Sequence, residues 1–413
     1  MILCYIDPGT GSMLFSIVIG LVTMLYFLGK AAVIKLKFVL SGGKAINSKH
    51  RYPLVIYSEG KRYYTVFKPI LVALERKGIP TVLYTSSEDD PVFSDTYNHI
   101  TTEFIGTGNK AFTRLNFLEA DVCLMTTPGL DVYQLKRSRG VKHYSHVLHS
   151  VDDATGYRLF GLDYFDSVLL SGEYQKAHIR ILEQKRGVKE KELVVVGCPY
   201  LDFLQEKVSA LPTKNQDEFT VLVAPSWGKS GILSRYGASL LDRLVETGFQ
   251  IIVRPHPQSK QSEKNVLNEL TNRYAENKNL SWDYNTENLH ALSSSDIMIS
   301  DFSGVIFDYT FLFDRPFLYV TGDFDAMPYD SYDIEEQPWK FRVLPEIGKE
   351  LKKEDFPRIK EVLLETVNSS ELQENRKVAK QTAWQYQGES GERVATFLES
   401  LLDVTNLDSE EIT

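Results

Sequence analysis

Arg254-Pro255-His256-Pro257 and Ser300-Asp301-Phe302-Ser303-Gly304 combine residue types that bind and stabilise anions. A guanidinium pairs with phosphoryl oxygens. An imidazole between two prolines is kept out of a regular helix, on an extended backbone. The second segment precedes a helix expected over Val305 to Phe313, whose free N–H groups and positive dipole end attract an anion. Ser303 has the chemistry of a helix N-cap, and Gly304 lets a ligand approach the backbone closely. Arg254, His256, Ser303 and Gly304 are therefore the expected pyrophosphate-binding set, with His256 also a candidate catalytic group. Asp301 repels a phosphate, so it is expected to hold the loop or accept a ligand hydrogen bond. Asp308, one turn further on, is placed to reach ribose hydroxyls or to face solvent.

His149 is the candidate general base on the other half of the chain. It is expected where a strand, His146 to His149, gives way to a loop, and a histidine titrating near neutrality suits removal of a hydroxyl proton. Asp152 or Asp153 is expected to orient it. His143, His146 and His149 recur every third residue but do not make a metal site. On a strand His146 points away from the other two, and His143 and His149 lie roughly 20 Å apart at about 3.3 Å per residue. Trp227-Gly228-Lys229, after Ala224-Pro225-Ser226, is a turn that can sit against the donor. Trp227, with Asp301 and Asp308, is expected to support the nucleotide or its loop. No metal or other cofactor is called for.

Each of these groups follows an apolar run. Phe249 to Val253 precedes Arg254, and Asp296 to Ile299 precedes Ser300. In an open α/β sheet the carboxyl ends of the strands are where ligands bind. Short strands alternate with helical patterns along the whole chain, as a parallel sheet with helices on both faces requires. Pro199 to Asp217 reads as a linker, and the alternation restarts at Thr220. The expected organisation is an anchor over residues 1–40, a Rossmann-like acceptor domain over 50–205 and a Rossmann-like donor domain over 215–385. A last helix over 386–404 packs back on the first domain. Two doubly wound domains facing a crevice form the GT-B architecture of many nucleotide-sugar transferases.

The 413 residues suffice for two such domains, and 43% hydrophobic with 24% charged residues is ordinary globular composition. A net charge of -9 argues against general affinity for nucleic acid. Cys4, Cys123 and Cys198 show no paired spacing, which fits a reducing compartment. From Pro8 to Gly29 there is no charge, and Met13 to Leu28 is nearly all apolar. A bilayer takes a helix of about 20 residues. Lys30, Lys35 and Lys37 follow it, so the carboxyl side is expected in the cytoplasm. The expectation is a single-pass cell membrane protein.

Over roughly Phe219 to Val320 the chain resembles the CDP-glycerol:poly(glycerophosphate) glycerophosphotransferases of teichoic acid synthesis. The resemblance rests on Ala224-Pro225-Ser226-Trp227, on Arg254-Pro255-His256-Pro257, and on Ser300 to Tyr309 followed by Arg315-Pro316. Gly197-Cys198-Pro199-Tyr200-Leu201-Asp202 is similar to the family's G-x-P-R-x-D. The family's H-G-T-P-x-K, whose histidine is its proposed base, reads His149-Ser150-Val151-Asp152-Asp153-Ala154 here. The histidine matches, and the glycine and the lysine do not, which leaves Arg158 as a candidate for the missing charge.

The resemblance implies transfer of glycerol phosphate, or another alditol phosphate, from CDP-glycerol or a similar CDP-alditol. The acceptor is a hydroxyl of a lipid-linked or polymer molecule at the membrane, and CMP is released. A nucleotide-sugar glycosyltransferase of GT-B fold, and a non-catalytic nucleotide- or polymer-binding relative, are the alternatives.

Overall fold

The computed structural model describes residues 51–410 except 213, 215–217, 302, 323 and 324, with a few positions before residue 30; side chains are described to 403. Most of the anchor expected over 1–40 lies outside the described residues. Among the described residues no helix is long and apolar enough to cross a membrane.

The first half is built on seven parallel strands: β1 (Tyr52–Ser58), β2 (Thr81–Thr85), β3 (Ile100–Phe104), β4 (Glu119–Met125), β5 (Gly140–Val147), β6 (Ser167–Leu170) and β7 (Glu192–Val195). Their order is β3-β2-β1-β4-β5-β6-β7. The second half has six: β8 (Thr220–Val223), β9 (Gln250–Val253), β10 (Leu280–Trp282), β11 (Ile297–Ser300), β12 (Phe317–Tyr319) and β13 (Lys349–Glu350), in the order β10-β9-β8-β11-β12-β13. Every pairing is parallel. Parallel strands are covered on both faces, which is why their central residues are continuous apolar runs. Leu54, Val55 and Ile56 of β1 and Val221, Leu222 and Val223 of β8 have no solvent exposure. In each sheet the order reverses beside the first strand, between β1 and β4 and between β8 and β11. Such a switch point leaves a crevice at the strands' carboxyl ends.

Two expectations are corrected here. Pro199–Ser209 is a helix and not a linker. Pro199 occupies its first turn, where a missing N–H costs nothing, and Leu201 and Leu204 face a core shared with the Val305–Phe313 helix. The strand expected over His146 to His149 is β5, which starts earlier and stops at Val147, so His149 stands on the loop beyond it. After β12 a short 3-10 turn, Asp330–Asp333, precedes a helix, Trp339–Ile347. Arg186 holds the turn to the first half through Asp163 at 2.8 Å, Asp330 at 2.7 Å and Asp333 at 2.7 Å.

The chain ends by crossing back. Buried Asp202 accepts hydrogen bonds from the indole N–H of Trp384 (2.8 Å) and the amides of Gly388 (2.8 Å) and Ser390 (3.0 Å). The helix Ser390–Glu410 then starts against the Tyr64–Lys77 helix at Pro69. Any side chain at Gly391 would bring a Cβ to 2.4 Å from the Pro69 carbonyl oxygen. Beyond it Val394, Ala395 and Leu398 complete the core formed by β1 and that helix.

Candidate active site

Loops at the carboxyl ends of the switch-point strands line two cavities of about 800 Å³ each. One is walled by Arg254, His256, Ser303, Asp308, Tyr200 and Phe203. The other is walled by His149, Asp152, Tyr157, Tyr63, Lys340 and Lys229 among others. Arg254, His256 and Ser303 thus share one cavity, Gly304 lines neither, and the candidate base stands in the other.

In the first cavity His256 is half-buried, and its Nδ1 accepts a hydrogen bond from the backbone amide of Gln258 at 3.1 Å. An amide can only donate, so the neutral ring carries its proton on Nε2. Burial lowers its pKa, against the opposing charges of Asp301 and Glu263. Neutral His256 is therefore a hydrogen-bond donor at Nε2, the form that meets a phosphoryl oxygen.

Arg254 behaves differently from the expectation. Its guanidinium is committed to the Asp283 carboxylate after β10 and to the carbonyls of Asn285 (2.9 Å) and Thr286 (3.4 Å). It fixes the 283–288 loop that forms part of the cavity wall, so its charge is largely neutralised before any ligand arrives. Ser303 lines the cavity but makes no cap; the residue before the Val305–Phe313 helix is Gly304, with no side-chain cap bond. That leaves the first amides of the helix without a local side-chain acceptor, as an anion-binding end needs. A Cβ at Gly304 would come within 3.2 Å of Asp152 Oδ2, so the helix end faces the His149 loop.

Asp301 is buried and accepts from the amides of Ser226 (3.0 and 3.1 Å) and Ile232 (3.3 Å). Burial raises its pKa and these amides oppose the shift. Of its two expected roles it fills that of holding the loop. Asp308 takes a hydrogen bond from the Tyr200 hydroxyl at 2.9 Å. Burial pushes its pKa up to about 7, with the Tyr200 bond opposing and the Asp152 charge adding. Trp227 and Lys229 stand in the wall of the His149 cavity, the Trp227 ring 6.4 Å from the His256 imidazole.

His149 is held by two hydroxyls. Its Nδ1 lies 3.1 Å from Thr126 Oγ1 and 3.1 Å from the Tyr157 hydroxyl. Tyr157 in turn lies 3.1 Å from Nε2 of His146, which is fully buried. With Nδ1 occupied, Nε2 of His149 is the atom left for the cavity. Burial lowers the pKa of His149; Asp152 opposes and Arg62 adds to the fall. The ring is neutral at neutral pH, as a base must be before it acts.

Neither expected carboxylate orients it. Asp153 caps the Trp339–Ile347 helix through the amides of Trp339 (2.8 Å) and Lys340 (2.9 Å). Asp152 influences His149 only through charge and pairs with Lys340 at 3.5 Å. Arg158 is exposed and lines neither cavity. The cation beside the His149 loop is Lys340. Thr126, Tyr157 and Lys340 were missed because no local pattern links them; β4, the loop after β5 and the start of a later helix bring them together.

The model of the CDP-glycerol:poly(glycerophosphate) glycerophosphotransferase family matches residues 165–399, more than half of the chain. The chain belongs to this family. The match covers His256, Ser303, Gly304 and Asp308 and begins after His149. No curated protein matches the sequence. Among solved structures, the wall teichoic acid polymerase TagF is similar at 16% identity and a TM-score of 0.56, over 91% of this chain and 96% of that one. A putative UDP-N-acetylglucosamine 2-epimerase from Listeria monocytogenes is similar at 15% identity and a TM-score of 0.56, over 86% and 97% of the two chains. The UDP-GlcNAc 2-epimerase from Methanocaldococcus jannaschii is similar at 14% identity and a TM-score of 0.51, over 85% and 100%. At these identities the likeness is one of fold: two parallel α/β sheets in a GT-B-like arrangement. The family membership places this chain among CDP-glycerol glycerophosphotransferases and apart from the epimerases.

Proposed function

We propose that this glycerophosphotransferase moves glycerol phosphate from CDP-glycerol to a hydroxyl of a lipid-linked or polymer acceptor and releases CMP, in synthesis of a teichoic-acid-like polymer. The observation that carries the reading is the division of labour between the two histidines. His256 presents a donor N–H beside Ser303 and the open end of the Val305–Phe313 helix. His149 presents the nitrogen opposite its two hydroxyl partners.

In the proposed reaction the diphosphate lies against His256 Nε2–H, the Ser303 hydroxyl and the Gly304 amide. Donors fixed beforehand toward developing charge are each worth about 3 kcal/mol. Arg254 acts on the site as a positioning residue, through the 283–288 loop. His149 Nε2 takes the acceptor's proton, and the Thr126 and Tyr157 oxygens accept the Nδ1–H of the resulting imidazolium. Asp308 and Tyr200 stand where the nucleoside would lie. The apolar stretch Met13 to Leu28 holds the enzyme to the membrane with its catalytic domains in the cytoplasm, which raises the effective concentration of a lipid-linked acceptor.

The test is CMP release by the detergent-solubilised full chain, given CDP-glycerol and a lipid-linked acceptor. Turnover abolished by His149→Ala supports the reading. Donor binding without turnover of any CDP-alditol makes the chain a binding protein, and turnover of a UDP-sugar makes it a glycosyltransferase.

A further inference from the structure

Among the described residues the two cavities have one wall residue in common, Arg62. It sits in the 3-10 turn Lys61–Tyr63 that follows β1, at the switch point of the first sheet. Its guanidinium lies over the Tyr63 ring, 4.7 Å from the centroid, and that ring stands edge-on to His149 at 5.4 Å. The nearest ion-pair oxygen, on Glu59, is 3.8 Å away, and the side chain is 69% exposed. Its fork is thus open to a ligand at the border of the two cavities, whereas exposed Lys229 lines the His149 cavity alone, and three neighbouring cations are held by carboxylates. Arg254 is bound to Asp283, Lys61 to Asp89 and Lys340 to Asp152.

The transfer needs a cation at this border. The donor diphosphate belongs to the His256 cavity and the attacking hydroxyl to the His149 cavity, so the reacting phosphorus passes between them. We propose that Arg62 is a further catalytic residue, whose guanidinium holds the non-bridging oxygens of the phosphoryl group in transit. This rests on the CDP-glycerol reading above. The acceptor oxygen forms a bond to the glycerol-bearing phosphorus. The bond from that phosphorus to the oxygen of CMP breaks, and its electron pair leaves with CMP. The acceptor's proton goes to His149 Nε2. A planar guanidinium matches two phosphoryl oxygens at once, which a lysine ammonium does not.

The same charge acts on His149. The titratable and charged groups around that ring and its cavity include Glu59, Arg62 and Tyr63 from the end of β1 and the turn after it, His146 of β5, Asp152, Asp153 and Tyr157 of its own loop, and Lys229 and Lys340 from the second half. Lys340 is paired with Asp152, and Arg62 is the cation that acts on the imidazole and opposes its protonation.

Arg62→Gln and Arg62→Lys in the full chain test this, with CMP release from CDP-glycerol measured across pH. Removing one fixed donor to developing charge costs on the order of 10²–10³ in kcat. Arg62→Gln is expected to lose about that much, with KM for CDP-glycerol changed far less and the acidic limb of the kcat profile moved to higher pH. Arg62→Lys is expected to restore the limb but little of the rate. Arg158→Ala, outside both cavities, is the control and stays at the wild-type rate. Arg62→Gln at the wild-type rate overturns the inference while leaving the donor assignment intact. So does a rate loss accompanied by a lower melting temperature and an unmoved pH limb, since that marks a structural role. A wild-type chain that turns over no CDP-glycerol refutes the donor assignment, and the inference with it.

Discussion

Tyr157→Phe removes one oxygen and keeps the ring that packs edge-on to His146 at 5.3 Å. Two nitrogens lose a partner. His149 Nδ1 keeps Thr126 Oγ1 at 3.1 Å, whereas His146, whose Nδ1 already has no hydrogen-bond partner, loses its Nε2 contact as well. A newly orphaned buried group costs about 1–3 kcal/mol of stability, which in a chain of this size lowers Tm by a few degrees. The effect on catalysis comes from the imidazolium. A hydrogen bond to a charged group is worth about 1.5–3 kcal/mol, or roughly 10- to 150-fold in rate. Thr126 takes over part of the load, so a fall of about 10-fold in kcat is expected. KM for CDP-glycerol stays constant because Tyr157 is not in the donor cavity wall. Loss of a bond that favours the charged ring also lowers the His149 pKa, so the acidic limb moves to lower pH, opposite to Arg62→Gln. Steady-state CMP release across pH, with a thermal melt, reads all of these. A variant with wild-type kcat and an unmoved limb refutes the idea that Tyr157 supports the base.

Asp283→Ala should free the Arg254 guanidinium and loosen the 283–288 loop, raising KM for CDP-glycerol several-fold with a smaller change in kcat; steady-state kinetics decide it. Asp202→Ala strips the acceptor from the Trp384 indole, the Gly388 amide and the amide and hydroxyl of Ser390 and should cost about 2–4 kcal/mol, seen in urea unfolding as a lower midpoint. Asp308 titrates near 7 in the folded chain and near 3.8 when unfolded. The folded state binds its proton more tightly, so its contribution is full below about pH 4 and is lost as pH rises through 7. Asp308→Asn should flatten that part of the stability profile in melts run from pH 4 to 8.

Much of the donor side was legible because its signals are local. His256 sits between prolines, Ser303 and Gly304 directly precede a helix, β9 and β11 fall on the expected apolar runs, and the Val305–Phe313 helix has the expected bounds. What failed was decided at a distance. Arg254 looked free because its partner Asp283 follows β10, a three-residue strand with no sequence signature. His146 was assigned to the face opposite His149 by strand alternation, but β5 ends at Val147 and the loop turns both rings onto Tyr157. Pro199 and Pro212 suggested a linker, yet Leu201, Leu204 and Val208 after an N-terminal proline carry helical spacing. Arg62 sits in a turn with no chemical signature, and only the meeting of two sheets gives it a place between cavities.

The returning Ser390–Glu410 helix has a consequence for synthesis. Leu54, Phe67 and Ile70 are made early, but Val394, Ala395 and Leu398, which cover them, are translated near the end. A nascent chain halted anywhere before residue 390 therefore carries an uncovered apolar face on its first sheet. Ribosomal products truncated there should be sticky and quickly degraded, even with both histidines already in place.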